Sequence, residues 1–166
     1  MTIWKGGLNV RISRKQLWMG IATLAAQRST CYRGNIGAVI VHDNNPIAIG
    51  YNGPPSGDDH CHGTTCARKA DGGCLRSVHA EVNALARVPH GDWLLRGSDM
   101  FVTSNPCPDC AAAIIASALI GRVYYQAPYR ITQGITELLN AEIQVFRLSP
   151  SGYLVNEATG EVNEAT

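Results

Sequence analysis

What this sequence lacks narrows its function first. It has no excess of either charge: 14 Lys+Arg face 13 Asp+Glu, a formal charge of +1. Tracking a long polyanion needs a basic field, so composition argues against a long nucleic acid as substrate. No apolar run approaches membrane-spanning length, so a membrane is not an expected partner. The start Met1-Thr2-Ile3-Trp4-Lys5 has no basic segment, apolar segment and small-residue cleavage site in succession, and the expected location is the cytoplasm. No linker divides the 166 residues, whose 45% hydrophobic content suits one domain with one core. In a reducing compartment the six cysteines read as metal ligands rather than as a disulfide framework.

The remaining pattern is an alternation of helices and strands. Ser13 is a plausible N-cap for a helix over Arg14 to Gln27, with Leu17, Ile21, Leu24 and Ala25 on the face that covers a sheet. Ile36 to Val41 reads as a buried strand, Asp43-Asn44-Asn45-Pro46 as a turn, and Ile47 to Tyr51 as the antiparallel partner. A helix over about Val78 to Arg87, closed by Pro89-His90-Gly91-Asp92, precedes a third strand over Asp99 to Ser104. Then come a buried helix over Cys110 to Ile120, a fourth strand over Arg122 to Gln126, a helix over Gly134 to Asn140 and a fifth strand over Ile143 to Leu148. The expected fold is α/β, a three-layer α-β-α sandwich around a five-stranded mixed sheet. The domain is expected to span residues 1–150, with a Cys/His-rich insertion at about 53–76 and a polar C-terminal tail at 151–166 that lacks a convincing period.

Two short motifs carry chemistry. His79-Ala80-Glu81 sits where a helix begins, and Pro106-Cys107-Pro108-Asp109-Cys110 opens the helix after the third strand. One His and two thiolates are three tetrahedral zinc ligands, and three protein ligands leave the fourth position for water. Glu81, two residues past the His, can stand beside the metal without binding it and can carry protons. Alone, His-Ala-Glu is an ordinary helix start and Cys-x-x-Cys is a redox pair or structural knuckle. In this order, each opening a helix, they resemble the zinc base-deaminase signature, which implies His79, Cys107 and Cys110 on the metal and Glu81 as the catalytic acid and base.

From about Arg14 to Leu148 the chain resembles the zinc-dependent cytidine and deoxycytidylate deaminase superfamily, and within it the dCMP deaminases of phage and bacterial type. The residues behind this are Arg28-Ser29-Thr30-Cys31, Val39-Ile40-Val41, Gly50-Tyr51-Asn52-Gly53, His79-Ala80-Glu81 with Asn83-Ala84, Thr103-Ser104-Asn105-Pro106-Cys107, and Val123-Tyr124-Tyr125 leading to Tyr129. The resemblance implies hydrolysis of dCMP to dUMP and ammonia, feeding thymidylate synthesis. It implies that the Ala80 helix start holds the pyrimidine O2, that the Ser104 carbonyl accepts from the amine, and that Asn52 holds sugar or base. Without it, Asn52 is a turn residue before Gly53. Donors for the phosphate are Arg28, Ser29 and Arg33 in the first loop and Tyr129 with Arg130 after the fourth strand.

The insertion has almost no aliphatic residues but holds Cys61, Cys66 and Cys74 with His60 and His62. A second, closed zinc would supply the missing core, and Cys31 would tie it to the first loop. The resemblance implies Cys31 and Cys61 as ligands; Cys66, Cys74, His60 and His62 stay open for the rest. It further implies a homo-oligomer, with a hexamer favoured, activated by dCTP and inhibited by dTTP with Mg2+ accompanying the triphosphate, at the Gly50, Tyr51, Asn52, Gly53 turn. Two other readings fit the same zinc site. A deaminase of another cytosine or adenine substrate, nucleoside or polynucleotide, would show in its substrate choice; a non-enzymatic zinc-stabilised module would have no use for Glu81.

Overall fold

In a computed structural model, residues 11–61, 66–68, 70, 72–89 and 93–165 are described. The core is a mixed sheet of seven strands in the order β2-β1-β3-β4-β5-β6-β7. Its elements are α1 (Arg14–Ala26), β1 (Gly37–His42), β2 (Asn45–Tyr51), α2 (Ala80–Leu85), β3 (Ser98–Ser104), α3 (Pro108–Ser117), β4 (Ile120–Ala127), α4 (Gln133–Asn140), β5 (Gln144–Leu148), β6 (Tyr153–Asn156) and β7 (Val162–Glu164). Strands β3, β4 and β5 are parallel, while β1 runs antiparallel to both β2 and β3. The expected five strands are β1 to β5. The correction is the hairpin β6-β7, which extends the sheet antiparallel from β5 into the tail that shows no pattern by itself. Those residues are in strand because β5 offers them an edge to pair with, and Tyr125 Oη donates to Glu157 Oε1 at 2.6 Å, fastening the hairpin to β4.

Alternation along the strands loads both faces. Ala38, Ile40, Met100, Val102, Val123 and Val145 pack under α2, α3 and α4, while Val39, Val41, Phe101 and Tyr124 face α1. Ser13 caps α1 through a capping box with Gln16. The face α1 buries is Met19, Ala22, Ala25 and Ala26, and the expected Leu17 and Leu24 lie exposed. Small side chains win because they let α1 settle close to β1, and size alone does not reveal this. The β1-β2 turn is also tighter than expected. Asp43 and Asn44 both have positive φ, a two-residue hairpin turn, and Asn45 and Pro46 already belong to β2.

Two close approaches set the active end of the sheet. A Cβ on Gly50 would fall 2.2 Å from the Ala80 carbonyl oxygen and 2.5 Å from the Ala84 nitrogen, so β2 can lie directly against the start of α2. At the base of the insertion, Gly53 and Val78 exchange two backbone hydrogen bonds of 3.1 and 2.8 Å. The insertion therefore leaves β2 and returns to α2 at one point, without disturbing the sheet.

Candidate active site

Helices α2 and α3 begin side by side, and their N-cap residues are His79 and Cys107. Neither N-cap side chain makes a capping hydrogen bond, which leaves both free to point at each other. His79 Nδ1 lies 3.2 Å from Cys110 Sγ and 3.4 Å from Cys107 Sγ. All three donor atoms fall within 4.8 Å of one another. Pro108 occupies the first turn of α3, where the missing N–H costs nothing, and Cys110 follows on the same turn. Helix α4 backs this loop so closely that a Cβ on Gly134 would sit 2.3 Å from the Pro106 carbonyl oxygen.

The donor set fits zinc: one imidazole nitrogen and two thiols, brought together by the fold, with a cavity beside them. Its electrostatics agree. The hydrogen bond from Cys110, with help from His79, holds the Cys107 thiol down to about 4, so one thiolate is present before any cation arrives. The Cys110 thiol is pushed up by that same neighbouring sulfur and by burial, the behaviour of a pair that shares one negative charge until a cation neutralises two. The hydrogen bond with Cys107 raises the His79 imidazole.

Glu81 is 4% exposed on the first turn of α2. Burial raises its carboxyl above the ordinary carboxylate value, and a carboxyl shifted in that direction holds a proton more readily than an exposed one, as a group that takes and returns protons requires. It lies on a cavity of about 400 Å³ that His79, Cys107, Ala80, Ser104, Asn52 and Tyr129 also line. That volume is within the range of small-ligand sites.

Of the expected phosphate donors, Arg33 and Tyr129 line the cavity, as does Arg130, whereas Arg28 and Ser29 do not. Ser29 instead accepts from the Cys31 N–H at 3.1 Å and shapes the first loop. Asn52 serves the rim as well as the cavity: its Oδ1 accepts from the Ile36 N–H at 2.8 Å and its Nδ2 donates to the Gly34 carbonyl at 2.9 Å. Residues that the sequence reasoning did not single out also face the cavity, namely Asp109, Ser77 and Asn105. The signal for Asn105 was available, an amide placed between a strand end and the Pro-Cys turn.

Cys31 and Cys74 line the same cavity from the side of the insertion. Burial pushes the Cys74 thiol up, but the N–H groups of Arg76 and Ser77 and the Cys66 thiol outweigh it and hold the group below its ordinary value. The Ser77 N–H reaches Cys74 Sγ at 3.3 Å. Arg68 and Cys74 form an isolated β-bridge, and the Cys66 thiol reaches Cys74. Cys61 is raised by burial and feels the charges of Cys74, Cys31 and Cys66, so the four thiols share one region. They are spread more widely than the first set: among the described residues, the trio that converges within 4.8 Å is His79, Cys107 and Cys110. His60 is exposed, and His62 lies outside the described residues.

Comparison with known proteins matches these features. Residues 12–127 fit the family described as the cytidine and deoxycytidylate deaminase zinc-binding region. The deoxycytidylate deaminase of Mycobacterium phage D29 is 42% identical over 122 residues, covering 66% of this chain and 91% of that protein. ComE operon protein 2 of Bacillus subtilis is 40% identical over 120 residues, 72% of this chain but 62% of that longer protein. Among solved structures, the dCMP deaminase of cyanophage S-TIM5, crystallised with dCMP and dUMP, superposes with a TM-score of 0.68 at 36% identity, covering 81% of this chain and 96% of that one. With the matched region spanning most of the chain and taking in His79, Glu81, Cys107 and Cys110, the chain belongs to the zinc-dependent cytidine and deoxycytidylate deaminase family.

Proposed function

We propose that this chain hydrolyses dCMP to dUMP and ammonia. The observation that carries the reading is Glu81, a carboxyl buried beside three metal-donor side chains on the wall of a nucleotide-sized cavity. When bound to His79, Cys107 and Cys110, zinc would act as a Lewis acid and lower the pKa of a coordinated water. The Glu81 carboxylate accepts a proton as water adds at C4 and delivers it to ring N3. It then moves the second water proton to the amine; the C4–N4 bond breaks, ammonia leaves, and the carboxylate is restored. The Ala80 N–H would hold the pyrimidine O2 and the Ser104 carbonyl would accept from the amine. Asn52 would reach the sugar or base. The 5′-phosphate would extend toward Arg33, Tyr129 and Arg130, with Arg28 and Ser29 behind them in the first loop. The D29 and S-TIM5 relatives, both named for dCMP, support this choice of substrate.

A second zinc on Cys31, Cys61, Cys66 and Cys74 would hold the insertion, and the preformed acceptor geometry at Cys74 supports it. We further infer that the enzyme works in the cytoplasm, supplies dUMP for thymidylate synthesis, and is a homo-oligomer, hexameric by resemblance. Activation by dCTP and inhibition by dTTP, with Mg2+, would act at Gly50, Tyr51, Asn52 and Gly53. Support comes from position: Asn52 belongs both to that segment at the end of β2 and to the cavity, so a ligand on one bears on the other. Assaying dCMP, dCTP, cytidine and a single-stranded oligonucleotide for ammonia release tests the substrate assignment. Turnover of dCMP with little or none of the others is expected; preference for cytidine or the oligonucleotide would replace it with another deaminase reading.

A further inference from the structure

We propose that Asn105 is a positioning residue that sets the affinity for the phosphate-bearing end of the substrate, by holding the segment from Ala127 to Ile131 against the metal-binding loop. The proposal rests on the dCMP reading only for the identity of the ligand. β3 and β4 run parallel until Ser104 pairs with Ala127, after which the chain must turn into Pro106-Cys107 while the other strand continues as a loop. Ordinarily the backbone groups beyond that point would lose their ladder partners. Here one residue replaces the ladder. The Asn105 N–H donates to the Ala127 carbonyl at 3.1 Å, its Oδ1 accepts from the Tyr129 N–H, and its Nδ2 donates to the Ile131 carbonyl at 3.0 Å. These bonds fall on alternate residues, as the bonds of a neighbouring strand would.

Burial contributes little to fixing this loop, because Tyr129 is 38% and Ile131 37% exposed, whereas Asn105 is 3% exposed. The loop is therefore set by polar bonds to one buried amide. Tyr129 and Arg130 both line the cavity, with the guanidinium 5.7 Å from the tyrosine ring centroid and Arg130 Nε 3.3 Å from Tyr129 Oη. They form a cationic and hydroxyl-bearing patch suited to an anionic oxygen. Asn105 thus joins the two halves of the site: the backbone that leads into Cys107 and the loop that presents Tyr129 and Arg130. No shorter or purely accepting side chain can do this. Serine falls short of both groups, and aspartate keeps the acceptor for Tyr129 but faces the Ile131 carbonyl with a like charge.

The test is steady-state kinetics of Asn105→Ala with dCMP, with zinc content measured alongside. KM should rise roughly tenfold, the worth of a lost hydrogen bond or two, with kcat changed by less than about threefold and the catalytic zinc retained. A double-mutant cycle with Tyr129→Phe should be non-additive in KM, because Asn105 acts through the placement of Tyr129. If Asn105→Ala does not fold, Asn105→Asp serves, with an intermediate rise in KM. A fall in kcat with zinc loss, or an additive cycle, would overturn the proposal and reduce Asn105 to support of the metal loop. Amide hydrogen exchange at Tyr129 in the ligand-free protein provides a substrate-independent arm: Asn105→Ala should speed it by about tenfold or more. Unchanged exchange would overturn the proposal, whereas faster exchange in Asn105→Ala together with a wild type inactive on dCMP would leave Asn105 as the holder of the loop and refute only the substrate assignment.

Discussion

Two sets of thiols each place a member on the same cavity, Cys107 from one and Cys74 from the other, and they are held by different means. Cys107 and Cys110 stand at the start of a helix packed on both α2 and α4, and with His79 they converge before any metal is bound. Cys61, Cys66 and Cys74 stand on an insertion tied to the fold by the Gly53-Val78 pair, by Arg33 Nη1 donating to the Gly72 carbonyl at 2.6 Å, and by short local bonds. The first set is organised by the core, the second by polar contacts and, on our reading, by metal. A site made by the core can be devoted to chemistry; a site that makes its own surroundings is devoted to shape.

The largest effect that would sharpen this contrast is expected from Glu81→Gln. It removes the proton carrier alone, so dCMP turnover should fall by about 10²- to 10⁴-fold or more while zinc content and melting temperature stay near wild type. Turnover close to wild type would mean that Glu81 is a bystander. Next in size are two cysteine variants. Cys107→Ser should lose catalytic zinc and activity with little change in overall stability. Cys61→Ser should lose the insertion's zinc and lower the melting temperature by roughly 5 °C. Elemental analysis showing one zinc per wild-type chain would remove the second site and with it this half of the contrast.

A smaller effect separates the two sets by acidity. In protein stripped of metal at pH 6, Cys107, held to about 4, is a thiolate, whereas Cys61, raised by burial, is a thiol. Iodoacetamide should modify Cys107 about tenfold faster than Cys61, the lower nucleophilicity of an acidic thiolate offsetting much of its greater abundance. The sign for stability follows: a depressed thiol contributes most above its unfolded value of 9.0 and loses that contribution as pH falls toward about 4. Metal-free protein that gained stability from this group on acidification would contradict the assignment. The smallest effect is regulatory. dCTP with Mg2+ should lower the half-saturating dCMP concentration several-fold and dTTP should oppose it; hyperbolic kinetics indifferent to both would leave the Gly50 to Gly53 segment with the packing roles described above.

The metal-donor motifs were legible because their chemistry is local. His79, Cys107 and Cys110 are each within a turn of a helix start, and helix starts can be read from spacing and from Pro108. The strands β1 to β5 were legible through their apolar runs. What could not be read depended on a partner distant in sequence. Tyr153 to Asn156 form a strand because β5 lies open beside them, and α1 turns alanines inward because β1 can come close. Asn105 could be read as an amide between a strand end and the Pro-Cys turn, but its partners could not, because Tyr129 and Ile131 return to meet it from a distant part of the sequence. The role of Asn52 was half visible: its place at the end of the second strand was evident, its clamp on Gly34 and Ile36 was not.

The most direct measurement of the central claim is deamination of dCMP in water enriched in ¹⁸O. Hydrolysis at C4 with Glu81 as proton carrier predicts one ¹⁸O at C4 of each dUMP and one ammonia released per turnover, with labelled product formed at least about 10²-fold more slowly by Glu81→Gln of full zinc content. Absence of labelled dUMP from the zinc-loaded wild-type protein, or labelling by the Glu81→Gln protein at the wild-type rate, would contradict it.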